Sequence, residues 1–76
     1  MFEERIKAVG TVLKHLRRSP KRYTELLKLT LGDGATPGTF RSTVQWLLDQ
    51  GYVERPQRGV YQITEKGRTL LSALSS

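Results

Sequence analysis

The chain has 76 residues, a length suited to one small domain. Hydrophobic residues make up 37% of it, which is enough for a single small core and argues against wholesale disorder. Thirteen Lys and Arg outnumber seven Asp and Glu, and the resulting net charge of +6 favours a polyanionic partner.

The composition also excludes several kinds of site. The chain contains no cysteine, so disulfides, thiolate metal sites and cysteine nucleophiles are excluded. His15 is the only histidine, and we expect no metal site without a second His or a Cys. We find no catalytic constellation and no phosphate-binding loop, so we expect neither catalytic residues nor a cofactor. No apolar run reaches the roughly 18–20 residues that span a bilayer, and the acidic start at Glu3-Glu4 is unlike a signal peptide.

The first predicted element is a helix from Phe2 to about Arg17. Apolar residues recur along it at spacings of three and four, which places one stripe toward a core: Phe2, Ile6, Val9, Leu13 and Leu16. Val12 lies beside this stripe and extends it. Gly10 weakens the helix centre by about 1 kcal/mol relative to alanine, and close helix packing is one possible reason for a glycine there.

A break follows at Ser19-Pro20, because the residue before proline avoids helical dihedrals. Tyr23 is a candidate for a very short strand. Thr24 is the predicted N-cap of a short second helix, 25–31, whose Leu26, Leu27 and Leu31 would face the core. The segment 32–35 reads as a turn, with two glycines available for positive φ.

The third helix, Pro37 to Gln50, carries the clearest boundary signals. Thr36 is the expected N-cap, Pro37 suits the first helical position, and Gly51 suits a left-handed position after the helix end. Four apolar residues recur at helical spacing and should be buried: Phe40, Val44, Leu47 and Leu48.

A hairpin and a last helix complete the pattern. Strands at 52–55 and 60–63 flank a predicted four-residue turn at 56–59, and Val53, Tyr61 and Ile63 alternate toward the core. Thr64 should cap a final helix containing Leu70, Leu71 and Leu74. The expected architecture is a single α+β, mainly α domain over residues 1–76, with three helices, a two-stranded β-hairpin and a C-terminal helix.

This order resembles the winged helix-turn-helix domain, in particular small prokaryotic transcription regulators of the MarR and PadR groups. The resemblance is carried by the start of helix two, by Val44 and Leu47, and by the segments 51–55 and 61–67 with Leu70-Leu71. It implies a sequence-specific double-stranded DNA-binding protein that acts in transcription, with a cytoplasmic, nucleoid-associated location. It also implies a homodimer formed by the first and last helices, for which the candidates are Phe2, Ile6, Leu70 and Leu74.

Two other functions stay open. Winged helices also serve as protein-docking modules, here as a subunit of a nucleic-acid-processing assembly, since fold does not fix function. The charge of +6 also suits non-specific coating of DNA. The chain gives no indication of a small-molecule effector or of a membrane partner.

If the third helix enters a major groove, its N-terminal half and outward face would read bases. Those candidates are Thr36, Thr39, Arg41, Ser42 and Gln45. Arg can bind guanine bidentately and Gln can bind adenine. An ordinary solvated helix face would use the same residue types.

Phosphate contacts are expected from the basic segment before helix two and from the hairpin. The candidates are Lys21, Arg22, Thr24, Arg55 and Arg58, contacts that set register rather than sequence. Arg55 could instead pair across the hairpin with Gln62. Trp46 lies at the edge of the outward face of helix three, either as an anchor for a protein partner or packed under the hairpin or against helix two.

Overall fold

The computed structural model describes residues 2–75, with side chains from residue 5 onward. Four helices and three strands follow one another in this order: α1 Phe2–Arg18, β1 Lys21–Arg22, α2 Tyr23–Gly32, α3 Pro37–Asp49, β2 Val53–Gln57, β3 Val60–Ile63 and α4 Glu65–Ser75. The predicted mainly α, α+β winged helix is confirmed. The very short strand considered at Tyr23 lies just before it, at β1, and Tyr23 itself begins α2.

Helix α1 lies at the centre of the fold and packs against α2, α3 and α4. Val9, Leu13 and Leu16 of the predicted stripe are buried, as is Val12 beside it. The prediction is wrong for Ile6, which is 50% exposed. Close helix packing, the possible reason considered for Gly10, does not explain it, because a Cβ there would meet no atom within 4 Å.

The start of α2 differs from the prediction. The helix begins at Tyr23, and its N-cap is Arg22, whose extended backbone (φ −75°, ψ 153°) makes no side-chain capping bond. Thr24 therefore lies inside the first turn and is not the cap. The cause is tertiary, since β1 pairs with β3 and the Tyr23 N–H donates to the carbonyl of Gly59 at 3.0 Å.

Buried positions in α2 follow the prediction in part. Leu26 is fully buried and Leu27 packs against the core, as expected. Thr30 is also fully buried, and its hydroxyl donates to the Leu26 carbonyl at 2.8 Å. The turn after α2 uses one positive φ, at Gly34, because Gly32 still belongs to the helix.

Helix α3 begins and ends as its sequence predicts. The Thr36 hydroxyl accepts a bond from the Thr39 N–H at 3.2 Å, and Pro37 occupies the first turn. At the other end, Gly51 adopts φ +80°, and its N–H donates to the Leu48 carbonyl at 3.1 Å. The next N–H, of Tyr52, returns to the Leu47 carbonyl at 2.9 Å, which completes a Schellman motif.

The three strands form an antiparallel sheet in the order β1-β3-β2, so β3 has a neighbour on each side. Strand β2 extends to Gln57, and the turn is two residues, Arg58-Gly59, rather than the predicted four. Between the pairs Glu54↔Gln62 and Gln57↔Val60, β2 has two residues where β3 has one. Pro56 lies in this bulge, where a residue without an N–H is tolerated.

Thr64 connects α4 to the end of α3. Its hydroxyl accepts a bond from the Gly67 N–H at 3.1 Å, which confirms the predicted cap, and it donates to the Gly51 carbonyl at 2.7 Å. Gly67 is buried, and a Cβ there would overlap the carbonyl oxygen of Tyr52. The glycine is thus required by the close approach of α4 to the chain between α3 and β2.

One hydrophobic cluster joins all four helices with β2 and β3. Phe40, Val44 and Leu47 of α3 belong to it, as do Val53, Tyr61 and Ile63 of the hairpin, which confirms their predicted burial. Among the described residues, none of the helices has both the length and the hydrophobicity of a membrane-spanning segment.

Candidate nucleic-acid interface

The outward face of α3 is polar and open to solvent. It lies opposite the buried Phe40, Val44 and Leu47, which fix the rotation of the helix about its axis. Four exposed side chains follow this face at helical spacing: Arg41, Ser42, Gln45 and Asp49. Three of the predicted base-reading residues are therefore on one surface, and Thr36 and Thr39 lie at its N-terminal end.

Most polar groups on this face already have partners within the helix. The Gln45 amide donates to the Asp49 carboxylate at 2.9 Å, and the Ser42 hydroxyl donates to the Thr39 carbonyl at 3.2 Å. Arg41 forms no hydrogen bond or ion pair with any described residue. Its guanidinium is thus the donor on this face that can bind a base without breaking an existing contact.

The N-terminus of α2 and the turn of the wing (the hairpin β2–β3) are neighbours. Arg22 is the register partner of Val60, and the Tyr23 N–H binds the carbonyl of Gly59 in the turn. Arg22 and Arg58 are both exposed and flank this junction. The sheet therefore holds two predicted phosphate-binding residues on adjacent segments.

Lys21 and Thr24 are placed differently from these arginines. Lys21 is half-buried, and its ammonium group donates to the hydroxyl of Ser19 and, at 3.2 Å, to its carbonyl. It pairs in register with the buried Tyr61, whereas Arg22 pairs with Val60 on the other face of the sheet. Thr24 is exposed in the first turn of α2.

Arg55 is free of the cross-strand pairing considered for it. The amide of Gln62 donates to the Glu54 carboxylate instead, as the register of Glu54 with Gln62 requires. Arg55 itself lies in the bulge, is exposed and contacts no described acceptor. It is therefore available to a ligand beside the wing.

Within residues 5–75, the one close contact between a basic and an acidic side chain joins His15 Nε2 and the Asp33 carboxylate at 2.9 Å. No Lys or Arg side chain there is neutralised by a carboxylate. The excess positive charge is therefore exposed to solvent rather than used in internal pairs. The same residues contain no group of three His, Asp or Glu that could hold a metal ion.

Trp46 packs on one neighbouring ring and stays partly exposed. Its indole stacks on the Tyr52 ring with centroids 5.5 Å apart and planes at 30°, yet the residue stays 36% exposed. Lys66 lies above the same tyrosine ring at 4.8 Å and donates to the Gln50 carbonyl at 2.7 Å. Sequence reasoning missed Tyr52 and Lys66, because this contact joins α3, the chain before β2 and α4.

The residues proposed for a dimer interface are in three different settings. Ile6 and Leu74 are exposed and line the same groove between α1 and α4. Leu70 is half-buried and packs against the core. The side chain of Phe2 lies outside the described part of the structure. Lys14 and Arg17 also line this groove rather than the face of α3.

Comparison with known families matches residues 3–73 to the Mrr N-terminal domain. That domain is associated with restriction endonucleases and hence with DNA, and it fits a small winged-helix fold. The finding does not show the MarR or PadR grouping that the sequence resembles. Comparison with curated proteins and with solved structures found no significant match. Because the matched region covers more than half of the chain, the protein belongs to the Mrr N-terminal domain family.

Proposed function

We propose that the protein binds double-stranded DNA, with α3 in the major groove and the wing beside the adjacent backbone. The observation that carries this proposal is the set of exposed, unneutralised arginines on α3, at the start of α2 and on the wing. These residues are Arg22, Arg41, Arg55 and Arg58. A winged helix uses the same three elements to contact a duplex, so charge and architecture agree.

The positions of the arginines suggest which of them would contact phosphates and which would contact a base. Arg22, Arg55 and Arg58 would neutralise phosphates and set the register on the duplex. Arg41 would bind a guanine through two parallel hydrogen bonds. Gln45 can read an adenine only after its amide leaves Asp49, so its contribution includes the loss of that 2.9 Å contact.

The proposal extends to the biological process in which DNA is bound. The sequence predicts a transcriptional regulator, whereas the matched domain is associated with restriction endonucleases. We therefore favour a DNA-binding domain that directs a nucleic-acid-processing protein to its site, with no catalytic residues of its own. A cytoplasmic, nucleoid-associated location is consistent with either setting.

The test is fluorescence anisotropy of a labelled random duplex titrated with protein at several salt concentrations. Arg22→Gln and Arg58→Gln should each weaken binding to all sequences alike and reduce the slope of log K against log salt by about one. Arg17→Gln is the matched control, since it removes one positive charge from the groove between α1 and α4. It should change the slope much less.

Sequence reading is tested separately, by selection of preferred duplexes with the wild type and with Arg41→Gln. The variant should lose the preference at one base pair, with a discrimination loss of about 1–3 kcal/mol. If the wild type shows no salt-dependent binding at low salt, DNA binding is refuted, and α3 with Trp46 becomes a candidate protein-docking surface.

The homodimer implied by the winged-helix resemblance stays a prediction. The chain mass is 8.6 kDa, so a dimer would sediment at twice that mass. A monomeric mass at tens of micromolar protein would contradict it. DNA binding as proposed needs only one copy of the protein, because one chain carries all four of the arginines named above.

A further inference from the structure

A second surface, distinct from the α3 face, lies in the groove between α1 and α4. Its volume is about 410 Å³, and it contains none of the residues assigned above to DNA. Leu71 forms its floor, and Ile6 and Leu74 line its two sides. An inference from this groove therefore goes beyond the proposed DNA binding and does not depend on it.

Two large apolar residues of this groove are exposed. Ile6 is 50% exposed and Leu74 is 41% exposed, although each lies on a helix that also contributes to the core. Single exposed apolar residues are common on protein surfaces. Here two of them come from different helices and meet in one concavity, which is the arrangement of a docking groove.

The charged residues of the groove all have the same sign. Lys7, Lys14 and Arg17 line it, and none of its described lining residues is acidic. None of the three forms an ion pair with a described residue. Their spacing of seven and three places them along one stripe of α1, over a length of about 15 Å at 1.5 Å per residue.

We propose that this groove binds an acidic amphipathic helix of a partner protein. The apolar face of that helix would cover Ile6, Leu71 and Leu74, as helices bound in hydrophobic grooves do. Asp and Glu residues along one flank would face the basic stripe, Lys7, Lys14 and Arg17. About three turns of helix would match the length of the stripe, since each turn rises 5.4 Å.

Two other occupants fit the observations less well. A second copy of the chain would bring the basic stripes of two identical grooves together, because a two-fold interface uses the same patch on both subunits. A nucleic acid would satisfy the basic stripe, but its phosphates gain nothing from the exposed Ile6 and Leu74. An acidic amphipathic helix complements both the basic stripe and the apolar residues.

The test uses two synthetic helical peptides of equal length with the same leucine face. One carries Glu along the flanks and the other carries Lys at the same positions. Labelled peptide is titrated with the protein, and binding is followed by fluorescence anisotropy. We expect the Glu peptide to bind the wild type at least roughly tenfold more tightly than the Lys peptide, a preference that weakens as salt rises.

Three variants make the assignment specific. Leu74→Glu should abolish binding of the Glu peptide, whereas Ser72→Glu, the same added charge at an exposed position of α4 outside the groove, should change it little. The double variant Lys14→Glu, Arg17→Glu should reverse the preference and bind the Lys peptide. Far-ultraviolet circular dichroism confirms that each variant is folded, and a reversed preference cannot come from an unfolded chain.

Several results would overturn the proposal. Equal affinity for the two peptides, or no binding of the Glu peptide at hundreds of micromolar protein, would refute it directly. A dimer that Leu74→Glu dissociates in the absence of peptide would assign the groove to a second copy. Loss of duplex affinity in the Lys14→Glu, Arg17→Glu variant, with Leu74→Glu unchanged, would assign the stripe to DNA.

Discussion

Two buried threonines allow a matched measurement of what a buried hydroxyl group contributes to the stability of this protein. Thr43 of α3 and Thr30 of α2 are both fully buried. The Thr30 hydroxyl donates to the Leu26 carbonyl at 2.8 Å, whereas the Thr43 hydroxyl has no partner among the described residues. Valine has nearly the same shape as threonine and a similar helix propensity. Replacement by valine therefore isolates the hydroxyl at each position.

The expected magnitudes have opposite signs. A buried hydroxyl without a partner costs about 1–3 kcal/mol, so Thr43→Val should stabilise the protein by at least about 1 kcal/mol. In a domain of this size that corresponds to a rise of roughly 4–8 °C in the midpoint of thermal unfolding. Thr30→Val removes a hydrogen bond with a net value of about 0.5–1.5 kcal/mol and should lower the stability by about that amount or less.

Urea unfolding followed by circular dichroism at the helix band measures both effects on the same scale. The slope with urea should be unchanged in both variants, so that the midpoints compare stabilities directly. The reasoning is refuted if Thr43→Val is less stable than the wild type, or if the two variants move the midpoint equally. Either result would mean that the Thr43 hydroxyl finds an acceptor in solution by rotation about its χ1 bond.

Substitutions at three further positions test the backbone of the fold by urea unfolding. Gly10→Ala should stabilise the protein by about 1 kcal/mol, because a Cβ there meets nothing and alanine is the better helix former; a loss of stability would show that the glycine has a role in packing. Gly67→Ala should destabilise the protein by about 1–3 kcal/mol, since the added Cβ would overlap the Tyr52 carbonyl oxygen. An unchanged midpoint would contradict the close approach of α4. Thr36→Ala should cost about 1 kcal/mol through loss of the cap on the Thr39 N–H, and Thr36→Ser, which keeps the hydroxyl, should recover most of it.

The elements that the sequence predicts correctly are those whose signals are local. The boundaries of α3 depend on Thr36, Pro37 and Gly51, each of which acts on the backbone within a few residues. The buried faces of α3 and the hairpin follow from periodicity alone, and so does that of α1 apart from Ile6, which is exposed. The exposed outward face of α3 follows in turn, because it is whatever remains opposite Phe40, Val44 and Leu47.

The errors arise where distant segments decide local conformation. Thr24 is a suitable cap by residue type, but pairing of β1 with β3 fixes Arg22 in an extended conformation and starts the helix at Tyr23. The sequence also points to the wrong glycine as the closely packed one, for the same reason. Gly10 is in open space, whereas Gly67 is the position that a neighbouring segment approaches closely. Neither fact can be read from spacing along the chain.

The candidate site was predictable as a set of residue types but not as a set of available groups. Arg41 and Arg55 turn out to be free, while Lys21 is held by Ser19 and Gln45 by Asp49. The partners that hold Lys21 and Gln45 are only a few residues away. Whether each bond forms depends on side-chain rotamers, which sequence patterns do not specify. The contact between Trp46 and Tyr52 depends on the path of the chain after α3.

The position of β3 in the middle of the sheet has a consequence for the energetics of binding. A wing joined to the fold only through its own hairpin would be free to swing, and closing on a duplex would then cost conformational entropy. Here the bond from the Tyr23 N–H to the Gly59 carbonyl ties the wing turn to the start of α2 before any ligand arrives. The backbone positions of Arg22 and Arg58 are thus fixed relative to one another in the free protein. A partner meets a preorganised spacing of charge, so the ordering cost of binding is confined to the arginine side chains themselves.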